Sequence, residues 1–85
     1  MTKPRVFGTF PIVTDAAGQV TTHLRISTQI FRGKLGLDVR LYKLNDDKTA
    51  FRPQVRGVRI PRRLIREVVE AMILAGREVL SSPED

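Results

Sequence analysis

From Lys34 to Tyr42 the chain alternates without a break. Leu35, Leu37, Val39 and Leu41 fall on one side of an extended backbone, and Lys34, Asp38, Arg40 and Tyr42 fall on the other. A period of two over this length commits the chain to a half-buried strand and therefore to a sheet with two chemically different faces. The same pattern runs through the preceding segment, where Val20, Thr22, Leu24, Ile26 and Thr28 share a face opposite Thr21, His23, Arg25 and Ser27. Arg32 and Gly33 join the two as a tight turn, with glycine free to take a positive φ. Asn45 to Lys48 is a polar turn, after which Phe51, Pro53 and Val55 alternate with Arg52, Gln54 and Arg56. Gly57 is read as a reset, so that Val58 and Ile60 flank Arg59 in a last short strand. On this reading one face is apolar and the other carries Arg25, Lys34, Arg40, Arg52, Arg56 and Arg59. Ahead of these strands, Phe7 to Val13 is extended but interrupted by Pro11, which suits an edge strand or a docked arm; Asp15 to Gly18 then turns the chain.

At Pro61 the period changes to that of a helix, which runs to about Leu80, with Pro61 suited to the first helical position. Leu64, Val68, Ala71, Met72, Ala75 and Val79 share one stripe, and Ile65, Val69, Ile73 and Leu80 widen it to an apolar arc of roughly 200°, about twice what a helix needs to cover its own core. Half of that arc either packs under the N-terminal segment or meets a second copy of the chain. The second arrangement places Val69, Met72 and Ile73 in a dimer interface. A chain of 85 residues buries only a modest fraction of its surface alone, which also favours pairing.

Composition excludes several classes of function. Without cysteine there are no disulfides and no thiolate metal sites, and a reducing compartment is expected. The longest apolar stretch, Ala71 to Ala75, is far too short to span a bilayer, so no membrane association is expected. His23 is the only histidine and reads as a solvent-facing strand residue with no acid beside it in sequence; no serine sits in a nucleophile motif. Asp46 and Asp47 form a turn without further ligands at calcium-loop spacing. Neither catalysis nor a cofactor or metal is expected. The charge is uneven, however: the net +6 concentrates between Arg32 and Arg63, where ten basic residues, mostly arginine, face three acids. Such a block suits phosphate oxygens, or it is a solvated face that keeps the protein soluble. Arg62 and Arg63, at the helix start, either hold a phosphate or are simply solvated.

The aromatic residues sharpen the choice. Phe51 falls on the apolar side of its strand and is assigned to the core. Tyr42 shares the face of Lys34 and Arg40, and Phe31 borders the turn that carries Arg32 and Lys34. An aromatic ring among cations can stack a base while the cations hold the backbone. Phe31 can equally be a hydrophobic plug at the end of the sheet.

The run Phe31-Arg32-Gly33-Lys34-Leu35-Gly36-Leu37-Asp38-Val39-Arg40-Leu41-Tyr42, followed by Phe51-Arg52-Pro53 and Arg56-Gly57-Val58, resembles the transcriptional positive cofactor four family. The resemblance covers about Ile26 to Ala75. It implies an α+β fold: a curved four-stranded antiparallel β-sheet followed by one C-terminal α-helix, homodimeric, here with a short extra N-terminal strand or arm. It also implies stacking on Phe31 and backbone contacts from Arg32, Lys34, Arg40, Arg52 and Arg56, with Arg25 and Tyr42 on the same surface. The chain departs from the family at Lys43, where a tryptophan is usual, at the turn that follows, and at Pro61-Arg62-Arg63. The regulatory serine-rich tail of eukaryotic members is absent, which suits a compact bacterial or phage-like protein. The expected organisation is an arm or edge strand over 1–19, a binding domain over 20–80 and a mobile tail over 81–85; Met1 to Arg5 is also read as loose. The expected partner is single-stranded DNA, with RNA or melted duplex as further possibilities, along with the transcription or replication machinery. The nucleoid of a bacterial cytoplasm, or a nucleus, is the expected location. The rival readings are a β-ribbon regulator of duplex DNA and a protein-interaction adaptor.

Overall fold

The computed structural model describes residues 3–83. Residues 1, 2, 84 and 85, part of the two expected loose ends, lie outside the described residues. Four antiparallel strands, β1 (Val6–Thr14), β2 (Val20–Phe31), β3 (Lys34–Leu44) and β4 (Phe51–Ile60), form one open sheet in sequence order. A 3-10 turn (Arg62–Leu64) leads into α1 (Ile65–Ser81). Both strand prolines, Pro11 and Pro53, sit on the outer strands β1 and β4, where a missing N–H breaks no interior ladder. The N-terminal segment is thus the first of the four strands, and Arg5 is tied in ahead of it by exchanging backbone hydrogen bonds with Thr28 through the Thr28 hydroxyl and N–H.

β4 differs from the sequence reading. It is one continuous strand and not two pieces reset at Gly57. Between the Arg40↔Gly57 and Tyr42↔Pro53 pairs, β3 contributes Leu41 alone while β4 contributes Gln54, Val55 and Arg56. A bulge with two extra residues keeps the alternation in phase, whereas a one-residue slip at Gly57 would have inverted it. Phe51 and Pro53 therefore share a face with Tyr42, Gly57 and Arg59. Arg52, paired with Lys43, falls on the opposite face together with Val58 and Ile60. Arg56 borders the same hollow as Thr22, Leu41 and Lys43.

Burial within the single chain is inverted relative to an ordinary two-faced sheet. The buried residues of β2 and β3 are His23, Ser27 and Asp38, all on the polar face, covered by the long side chains of their neighbours. Leu24, Ile26, Leu35, Leu37, Val39 and Leu41, on the apolar face, are only half-buried. Ile60, 7% exposed, is the one buried hydrophobic residue among those described. Helix α1 buries no residue, and its wide apolar arc stays open, with Met72 at 53% and Ile73 at 48% exposure. The radius of gyration is 15.3 Å, against about 12 Å for a compact domain of this length. Only the first turns of α1 approach the apolar face, where Ile65 and Val69 line a groove with Phe7, Ile26 and Leu37. Pro61 remains extended (φ −66°, ψ 150°), so Arg62 and Arg63 belong to the 3-10 turn rather than to the first turn of α1.

The β4 bulge is held from β3. Arg40 donates from Nη1 to the Gln54 and Val55 carbonyls at 2.8 and 3.1 Å, and its side chain crosses Gly57 so closely that an added Cβ would lie 2.8 Å from its Cγ. Because the guanidinium is pinned at its far end, it cannot swing away. Gly57→Ala is expected to cost about 1–3 kcal/mol by overpacking, read as a lowered midpoint of thermal or urea unfolding; an unchanged midpoint would contradict the close crossing.

Candidate nucleic-acid interface

The polar face is organised around one acid. Asp38 is 3% exposed, and a carboxylate so enclosed must be paired. Arg40 supplies a two-pronged partner, Nε to Oδ2 at 3.2 Å and Nη2 to Oδ1 at 3.1 Å, while Arg59 approaches Oδ1 at 3.8 Å. Hydrogen bonding to Asp38 raises the Arg40 pKa above its already high ordinary value. With Nη1 on the β4 carbonyls, every nitrogen of Arg40 has a protein partner. Arg25 lies directly across from Arg40 in the register, an unfavourable like-charge pair. The two guanidinium groups turn apart: Arg40 goes to Asp38 and β4, and Arg25 goes over the Tyr42 ring, 3.7 Å from its centroid.

Tyr42 belongs to an aromatic cluster that the sequence did not reveal. His23 pairs with Tyr42 across the strands, and their rings stack at 5.5 Å with planes 7° apart; Phe51 tilts against His23 at 4.5 Å. His23 is thus buried and not solvent-facing, and Phe51 serves the polar face rather than the apolar one. The His23 Nε2 accepts from Arg25 Nε at 3.3 Å, which requires the neutral ring. Burial and, second, the Arg25 charge hold the His23 pKa below its ordinary value.

At the other end of the same face, Phe31 and Lys34 close the β2–β3 hairpin. Arg32 (φ 52°) and Gly33 (φ 77°) form its two-residue turn. A positive φ is routine for glycine but unusual for arginine, and holding one there costs on the order of 1 kcal/mol. Phe31 is 50% exposed, with the guanidinium carbons of Arg59 and Arg32 at 4.7 and 5.4 Å from its ring centroid. Gly36, on this face between Lys34 and Asp38 and with the Ile60 carbonyl 3.4 Å from where a Cβ would stand, lines a cavity of about 670 Å³ bordered also by Phe31, Lys34, Arg59 and the 3-10 turn.

The structure therefore brings together Phe31, Arg32 and Lys34 at one end of the polar face and Arg25 with Tyr42 further along it. Arg40 lies between them, engaged within the protein. Arg52 and Arg56 are separated from these, towards the apolar face and the far end of β4. Arg59, which the sequence assigned to the basic face but not to the site, sits against Phe31. Its signal was the Val58/Ile60 alternation; its reach to the Phe31 ring is visible only in the folded chain. Among the described residues no three His, Cys, Asp or Glu side chains come together, and no helix is long and apolar enough to cross a membrane.

The sequence matches no family profile and no curated protein. Its fold is similar to that of a PC4 (positive cofactor four) homolog from Burkholderia pseudomallei, seen in two crystal forms. The orthorhombic form superposes with a TM-score of 0.69 at 27% identity, covering 92% of this chain and 96% of the other. The tetragonal form gives 0.66 at 27% identity, covering 87% and 98%.

The buried histidine predicts a pH dependence. With its folded pKa depressed, His23 binds a proton more readily in the unfolded chain. Its contribution to stability is present above the ordinary histidine value of about 6.5 and is lost as the pH falls below it toward the lowered folded value. His23→Phe keeps a ring in the stack without the titration. The variant is expected to lose less stability than wild type between neutral and mildly acidic pH; equal losses in thermal unfolding would remove His23 as a cause.

Proposed function

We propose that this chain, PC4-like in fold and in sequence pattern, is a non-enzymatic single-strand-binding protein that works as a homodimer and is tolerant of sequence. The observation that carries the reading is the half-exposed Phe31 ring with Arg32, Lys34 and Arg59 gathered about it. An unpaired base can stack on such a ring for about 1–3 kcal/mol, while the cations take the phosphates on either side. The strained arginine in the turn supports it too, since an asparagine or glycine would sit there more comfortably. Arg25 over Tyr42 offers a second aromatic station on the same face, which a base could share by displacing the guanidinium onto a phosphate. Arg40 acts mainly as scaffold in this reading. Arg52 and Arg56 would meet the strand only where it wraps around the β4 edge.

The dimer rests on the uncovered apolar face. One chain leaves the aliphatic side chains on the apolar face of β2 and β3 half-exposed and the helix stripe open. A second copy is the partner always available at matching concentration, and a two-fold pairing would cover both faces at once. Val69, Met72 and Ile73 are assigned to that contact. Ile73→Asp would put a carboxylate into it at a cost of several kcal/mol. Sedimentation should show a dimer for wild type at micromolar concentration and a monomer or unfolded chain for the variant; a monomeric wild type would refute the arrangement.

The direct test is a titration of labelled single-stranded DNA, duplex DNA and RNA at a fixed salt concentration. Phe31→Ala is expected to weaken single-strand binding by roughly ten- to a hundredfold, the equivalent of one lost stacked base, and to change duplex binding little. If the variant instead melts several degrees lower and keeps its preference for single strands, Phe31 is a structural plug.

A further inference from the structure

Two arginines that the basic face does not include border the same cavity. After Ile60 the chain continues along the start of β3, and the 3-10 turn places Arg62 and Arg63 on the rim that Phe31, Lys34 and Arg59 also line. With Arg32, five cations and, among the described residues, no acid line this space. Among the described residues, neither the Arg62 nor the Arg63 side chain has an ion-pair or hydrogen-bonding partner. Glu67, in the first turn of α1, forms no ion pair with either of them. Like charges gathered in one hollow repel each other, and two of them, Arg62 and Arg63, stand just ahead of α1, where positive charge is disfavoured. An anion in the cavity would remove both penalties. The volume of about 670 Å³ is in the range of sites that hold one small organic ligand, and the floor, at Gly36, is free of side chain.

Building on the single-strand reading above, we propose that this cavity holds the phosphodiester segment next to the base on Phe31. Arg62 and Arg63 grip the strand as it leaves the sheet and passes the helix start. The site is then a track with an exit, continued by residues of the 3-10 turn, and not only a sheet face.

Salt dependence separates this from a general attraction to a basic protein. Each single-strand phosphate contact contributes about 0.7 to the slope of log K against log salt, so Arg32, Lys34, Arg59, Arg62 and Arg63 together contribute about −3.5 to it. The double variant R62Q/R63Q is expected to flatten the slope by about 1.4 and to weaken binding roughly ten- to thirtyfold at 0.1 M salt. R62K/R63K should retain the slope. K48Q/R77Q removes the same charge from the distant β3–β4 loop and from late in α1, and should leave the slope in place. A wild-type slope in R62Q/R63Q, a slope lost in R62K/R63K, or equal flattening in K48Q/R77Q would each overturn the exit track while the single-strand reading stands. Absence of single-strand binding by wild type would overturn that reading, and the track with it.

Discussion

The buried carboxylate of Asp38 fixes the polar face. A charge 3% exposed to water has to be matched by the protein, and Arg40 matches it with two parallel contacts. The remaining nitrogen of Arg40 is thereby aimed at the Gln54 and Val55 carbonyls, which hold the β4 bulge. That bulge sets the phase of β4, and so brings Phe51 to His23 and Arg59 to the Phe31 end of the sheet. The close crossing over Gly57 belongs to the same device, since any side chain there would displace the arginine.

Competition among cations for few acids divides the arginines into two groups. Among the described residues Asp38 is the only acid on the polar face, and Arg40 occupies it most fully. Arg25 finds the Tyr42 ring instead, Arg59 lies over Phe31 while keeping its longer contact with Asp38, and the Arg62 and Arg63 side chains find nothing within the described residues. A guanidinium on an exposed ring gains only about 0.5–1 kcal/mol, so a phosphate can recruit it at small expense. The scaffold arginine and the available arginines are therefore distinguished by their partners, not by their charge.

The inverted burial of the sheet has its own logic. The polar face can protect its centre with long side chains, as Gln29 does at Ser27, Arg40 at Asp38, and Tyr42 and Phe51 at His23. Leucine, isoleucine and valine are too short to do this for the opposite face, and α1 reaches that face only with its first turns. The polar side is thus closed within one chain, whereas the apolar side stays largely open.

The elements themselves were legible in the sequence because their signals are local. The unbroken alternation of Lys34–Tyr42, the Arg32-Gly33 turn, the edge prolines and the change of period at Pro61 each reflect the backbone geometry of a few adjacent residues. Phe31, Arg32 and Lys34 could be grouped for the same reason, being neighbours across a two-residue turn. Tertiary structure alone decided which way Arg52, Arg56 and Phe51 face, since that depends on how many residues β4 inserts opposite Leu41. It likewise decided that Arg40 is engaged within the protein, that His23 is buried and that Arg59 meets Phe31. These outcomes follow from register between strands distant in sequence and from many cations sharing one carboxylate, and neither is written in any short stretch of the chain.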